Sequence, residues 1–197
     1  MRGQRFGTLP NWWFRNGKLF SELKANQAGE GIAVMKCLLA MSVLIDFYTK
    51  DVDASITDFE KITGLSRPMV IKGISRLQNL GIIEVDKTNY RNNYKFVVKA
   101  DDSRWAKVPL NITRKKLSQI SNRGTAPFVA LKVYITLLSL RRNEEVNIKL
   151  THEKIREHTR VQPNQIRAGL DVLFSYSLLH LLPKEENMSN EYQILGI

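Results

Sequence analysis

S55-I-T-D-F-E-K-I-T-G-L-S-R-P-M-V-I-K-G-I-S-R-L-Q-N-L-G-I-I83 is the stretch whose reading decides the fold. Ser55 can cap a helix, because its hydroxyl accepts an orphan amide and Asp58 follows three residues on. Gly64 ends that helix with a residue free to take positive φ. After a short turn, Ser66 is expected to cap a second helix with Pro68 in its first turn. Val70, Ile74 and Leu77 recur at helical spacing and should face inward. N79-L-G closes this helix, and I82-I-E-V then starts a strand. The polar segment D86-K-T-N-Y-R-N-N leads to Y94-K-F-V-V, a returning strand by its alternation.

Working outward, the same order of elements recurs 96 residues later. A33-V-M-K-C-L-L-A-M-S-V-L-I, part of an apolar helix expected over Gly31–Tyr48, lies over V129-A-L-K-V-Y-I-T-L-L-S-L-R, within one expected over Pro127–Leu140. Lys36 falls on Lys132, Ser55 on Thr151, Phe59 on Ile155, Gly73 on Gly169 and Leu77 on Leu173. The matching second hairpin reads L178-L-H-L, P183-K-E-E-N-M-S-N and Y192-Q-I-L. The lead-ins correspond as well, Leu9-Pro10 with Leu19 and Leu23 against Val108-Pro109 with Leu117 and Ile120. Helix, helix, turn, helix and hairpin is the order of a winged helix-turn-helix. The expected architecture is therefore mainly α with small β-hairpins (α+β), as two tandem winged helix-turn-helix domains, 1–100 and 101–197, related by internal duplication.

Residues 55–83 resemble the helix-turn-helix consensus of bacterial winged-helix regulators and replication proteins. Two such units on one chain look like the iteron-binding plasmid replication initiators, although those are usually longer. L9-P-N-W-W-F-R-N-G-K-L-F and K107-V-P-L-N-I-T-R-K-K-L resemble the start of phage and mobile-element replication proteins. The resemblance implies a non-enzymatic binder of double-stranded DNA at a bacterial or mobile-element origin or promoter.

Charge agrees with a polyanionic partner: the formal net charge is +11 and the pI about 9.8. The excess is shared, with 15 Lys/Arg against 9 Asp/Glu in 1–100 and 15 against 10 in 101–197. Ser103–Asn143 carries nine basic residues and no acid. The second helix of a helix-turn-helix enters the major groove, so Ser66, Arg67, Met69, Lys72 and Arg76 are the candidate base readers of the first copy. Lys87, Asn89, Arg91 and Lys95 are its candidate wing contacts. The second copy offers Gln162, Asn164, Gln165 and Arg167, whose amides suit adenine, and a single wing cation, Lys184, beside Glu185 and Glu186. Unequal readers predict an asymmetric or direct-repeat site. Arg114, Lys115 and Lys116 can meet the phosphates between half-sites; about five to seven neutralised phosphates would make binding steeply salt-dependent.

An ordinary solvated face explains any of these cations equally simply, and the competing class is a tandem winged-helix protein-interaction module, such as an accessory subunit of a chromosome-organising or replication complex. Trp12, Trp13 and Phe14 either cover a core edge or anchor a homodimer or protein partner. The lone Cys37 excludes an internal disulfide and reads as a small core residue. His152, His158 and His180 lack metal-ligand spacing, and His180 is expected half-buried in a strand. No phosphate-binding loop, nucleophile elbow or paired-carboxylate motif occurs, so no cofactor and no enzymatic activity are expected. Cys37–Ile45 is far shorter than the about 20 apolar residues of a membrane span, and the first ten residues lack a signal-peptide core. A cytoplasmic, nucleoid-associated location without membrane contact is the expectation.

Overall fold

A computed structural model describes residues 5–15, 17–46, 48–87, 91–100, 102–183 and 189–197. The chain opens with β1 (Phe6–Pro10), α1 (Trp12–Arg15) and α2 (Lys18–Glu22), and a 3₁₀ turn leads into the long α3 (Ala28–Leu44). Then come β2 (Asp51–Ala54), α4 (Ile56–Thr63), α5 (Arg67–Asn79), β3 (Ile83–Asp86) and β4 (Asn92–Phe96). The second half runs β5 (Trp105–Pro109), α6 (Leu110–Lys116), a 3₁₀ turn, α7 (Thr125–Leu140), β6 (Asn147–Leu150), α8 (His152–Thr159), α9 (Pro163–Ser175), β7 (Leu179–Leu182) and β8 (Asn190–Ile194). Helices and small antiparallel sheets make this an α+β structure, with strand orders β1-β5, β2-β4-β3 and β6-β8-β7.

Local chemistry sets the helix ends. Ser55 and Asp58 form a reciprocal capping box at α4, and Gly64 closes that helix at φ 67°. At α8, Thr151 accepts the Lys154 amide, and Arg160 takes the left-handed closing position at φ 54°. Ser66 does stand at the α5 boundary, but its side chain caps nothing, contrary to expectation. Pro68 already removes one of the orphan donors there, which lowers the demand for a cap. α3 stops at Leu44, short of the expected Tyr48, because Ile45 turns extended and the Asp46 carboxylate accepts the amides of Tyr48 and Thr49, each at 2.8 Å. α7 starts at Thr125, two residues ahead of Pro127.

α5 lies on α3, and α9 on α7, through matched glycines. A Cβ on Gly73 would fall 2.9 Å from the Ala33 carbonyl oxygen, and one on Gly169 would fall 2.6 Å from Val129 Cγ1. Each hairpin gains a third strand that the sequence pattern did not reveal: β2 pairs with β4 (Asp51↔Lys95 to Ala54↔Asn92), and β6 pairs with β8 (Asn147↔Gln193 to Leu150↔Asn190).

The two halves exchange their lead-ins. β1 pairs antiparallel with β5, from Phe6↔Pro109 to Pro10↔Trp105, and α3 packs on α7 in the centre. From there each lead-in docks on the other half. Asn11 Nδ2 donates to the Ser139 carbonyl at the end of α7, and Phe14 stacks on His158 of α8 with ring centroids 5.1 Å apart. Reciprocally, Arg114 Nε donates to the Val43 carbonyl at the end of α3 at 3.1 Å.

Two buried lysines fix this exchange. Lys36 Nζ donates to the carbonyls of Thr63 (2.8 Å) and Ile120 (2.6 Å) and to Asn122 Oδ1 (2.7 Å). Lys132 Nζ donates to the carbonyls of Leu23 (2.9 Å), Thr159 (3.2 Å) and Phe20 (3.3 Å). Each ammonium therefore holds the last carbonyl of one half's helix together with the other half's lead-in, where the helix dipole favours a cation. Burial pulls both lysines down to about pKa 8.

Trp12, Trp13 and Phe14 are 3%, 0% and 4% exposed, so they are core residues of the exchanged lead-in and present no anchor to a partner. Cys37 is buried against α5, and burial pushes its thiol up to about 12. Ala25–Leu44 is long and apolar enough to cross a membrane by length and composition alone, but residues 31–43 are all buried within the fold.

Candidate nucleic-acid interface

The outward face of α5 presents Ser66, Arg67 and Lys72 to solvent, with Met69 and Arg76 half-buried at its edges. Ile71 joins them, 48% exposed, an apolar residue that the pattern of polar candidates passed over. The cations on this face are already engaged. Lys72 Nζ lies 2.7 Å from Glu30 Oε2, and Arg76 reaches Glu22 at 2.8 Å and Glu30 at 3.9 Å. Arg67 faces Glu60 at 3.8 Å. Glu22 belongs to α2 and Glu30 to the first turn of α3, so the first two contacts tie α5 to the approach to α3.

The β-hairpin of this half behaves in the same way. Arg91 lies 2.6 Å from Asp58 and 3.4 Å from Asp53, and Lys95 lies 3.3 Å from Asp51 across the β2–β4 pairing. The Asp58 carboxyl is held below its usual range, first by the Ser55 hydroxyl, then by the Ser55 amide, with Arg91 adding charge. Lys87 is exposed and has no ion pair among the described residues; Asn89 lies outside them. Solvent-exposed pairs of this kind contribute about 0–1 kcal/mol each. A phosphate can displace such a carboxylate, but each exchange gives less than contact with a free cation would.

The second half presents a different surface. Gln162, Asn164 and Arg167 are exposed at the start of α9, and Gln165 is half-buried. Among the described residues no acid pairs with Arg167, and Lys184, Glu185 and Glu186 lie outside the described residues. The 96-residue offset shows why the helices differ. Glu30, Lys72 and Arg76 correspond to Ala126, Ala168 and Val172, while Glu60 and Arg67 correspond to Arg156 and Pro163. The charge lattice around α5 has no counterpart around α9, although the strands keep a cross-strand pair, Lys149–Glu191 at 3.6 Å.

Of the junction trio, Arg114 is committed to the end of α3, Lys115 is exposed, and Lys116 approaches only Gln119 Oε1 at 3.5 Å. His180 is exposed on β7, not half-buried, because the alternation that carries Leu179 inward turns it out. Burial, then the Lys154 charge, lowers the pKa of His158 beneath Phe14. No group of three His, Cys, Asp or Glu side chains suits a metal ion among the described residues. Compared with known proteins, the sequence matches no family model and no curated protein.

Proposed function

We propose that this protein is a non-enzymatic, sequence-specific binder of double-stranded DNA, built as two winged helix-turn-helix units, 1–100 and 101–197, that arose by duplication and exchange their lead-ins. The supporting observation is that a capped helix, a turn, a second helix and a β-hairpin occur twice, on a chain with net charge +11. In this reading α5 and α9 address two adjacent major-groove segments. Ser66, Arg67 and Ile71 serve on one side; Gln162, Asn164, Gln165 and Arg167 serve on the other; Lys87, Lys115 and Lys116 take backbone phosphates. Ile71 is suited to a thymine methyl group. A replication origin or a promoter in a bacterial or mobile-element genome is the proposed site of action, and the cytoplasm, on the nucleoid, the proposed location.

A second reading, a tandem winged-helix protein-interaction module, is favoured by one observation: the α5 cations are matched by acids of the same chain. Selection from a randomised duplex library, followed by a salt titration of the winner, separates the two. Enrichment of two unequal half-sites with a steep salt slope supports DNA recognition. No enriched motif, with weak binding only, refutes it and moves the assignment to protein interaction.

A further inference from the structure

The turn between α8 and α9 holds a second cluster of cations. Arg156 and Arg160 stand one helical turn apart and line the same cleft with Val161 and Gln162. Neither guanidinium has an ion pair or hydrogen bond among the described residues. Glu153 and Glu157 also line this cleft, but Glu157 is engaged by Lys154 at 2.7 Å. In the first half the matched positions are Glu60 and Gly64, so the same place carries an acid and a glycine there.

Arg160 occupies its position at a cost. Its φ is 54°, a left-handed conformation that a side chain disfavours by roughly 1–2 kcal/mol and that Gly64 adopts freely in the other half. The ordinary role of a cation there, satisfying the end of α8, is already filled, because Lys132 holds the Thr159 carbonyl. Arg160 adds a positive charge beside that buried ammonium and helps to lower its pKa, second to burial. Backbone strain and like-charge repulsion therefore meet at a residue that makes no ion pair among the described residues to offset them. An outlier retained under those conditions points to function.

We infer that Arg156 and Arg160 form a clamp for a nucleic-acid phosphodiester, set beside the α9 residues Gln162 and Arg167. This rests on the DNA-binding reading and makes the second half the principal phosphate-holding surface, since the first half has Glu60 and Gly64 at the matching positions and its α5 cations are paired with its own acids. The clamp fixes the register of α9 while the amides of Gln162 and Asn164 address base edges.

Arg160→Gly is the test, because it removes the charge and relieves the backbone together. Binding of a labelled mixed-sequence duplex should weaken several-fold, the log–log salt slope should become shallower by about 0.9, and the thermal midpoint should rise. Arg156→Gln should weaken binding without shifting the midpoint, and the double variant should lose about two counterions from the slope. Unchanged affinity and slope would overturn the clamp while leaving the DNA reading in place. A fall in the midpoint together with lost affinity would also overturn it, by showing a structural role for Arg160. Failure of the unaltered protein to bind any duplex would refute the DNA reading itself.

Discussion

Replacing Lys36 by Met removes the donors of three hydrogen bonds, to Thr63 O, Ile120 O and Asn122 Oδ1, from a side chain that is fully buried. Charge-assisted bonds of this kind contribute about 1.5–3 kcal/mol each, so the loss is about 5–9 kcal/mol. Against it stands the penalty for burying the ammonium, which no longer applies. The fall of the pKa from 10.5 to about 8 puts that penalty at about 3 kcal/mol. The net expectation for Lys36→Met is a destabilisation of about 2–6 kcal/mol at neutral pH, read from urea unfolding. A pH series isolates the charge. Between about pH 8 and the unfolded value of 10.5, the unfolded chain holds lysine protons that the folded one has released, so the lysine contribution to stability rises with pH. From pH 9 upward Cys37 opposes this, because its folded pKa is raised to about 12 and the folded state keeps a proton the unfolded state sheds. The difference between Lys36→Met and the parent should therefore widen from pH 8 to 9, with the parent gaining. A variant within about 1 kcal/mol of the parent at pH 7, or a difference that does not change with pH, would refute the Lys36 ammonium as the tie between the halves.

Gly73→Ala should cost about 1–3 kcal/mol, since its Cβ would strike the Ala33 carbonyl; a gain in the thermal midpoint, as for an open helical glycine, would refute the close approach of α5 to α3. Ser55→Ala should cost about 1 kcal/mol by denaturant titration, because the Asp58 amide loses its acceptor while the residue-55 amide keeps the Asp58 carboxylate, and an unchanged midpoint would show the cap to be idle. Glu30→Gln should free Lys72, with Arg76 still held by Glu22, tightening duplex binding and steepening its salt slope with little change in stability. Weaker binding would show that the pair positions α5 for recognition.

Much of each helix pair was legible because the signals are local. Ser55, Asp58, Gly64 and the Val70–Ile74–Leu77 stripe lie within one stretch of sequence, and each acts on backbone atoms a few residues away. The β1–β5 pairing was not legible, since its partners lie about a hundred positions apart and each strand is only five residues long. Trp12, Trp13 and Phe14 read as apolar, but the ring stacked on Phe14, His158, comes from the far half of the chain, while Trp12 bonds back to Val97 of its own half. The candidate surface suffered most from this limit. Glu22 and Glu30 carry no mark that they will neutralise Arg76 and Lys72, and Arg114 carries none that it will close α3. Arg160 is legible as a departure, a less comfortable residue at the place of Gly64 in the repeat, but its place in a cleft beside Arg156 is not.

The exchanged lead-ins also set the order in which the chain can fold. Lys36 finds Ile120 and Asn122 only after 84 and 86 further residues, and Lys132 must reach back 109 to Leu23. A first half emerging during synthesis therefore carries a buried ammonium with two of its three acceptors not yet made, beside a lead-in whose Phe14 has no His158 to stack on. Such non-local closure slows folding and leaves apolar surface open while it waits. The smallest unit able to complete either core is the whole chain, and a fragment cut at the midpoint would look for its missing lead-in on another copy of itself.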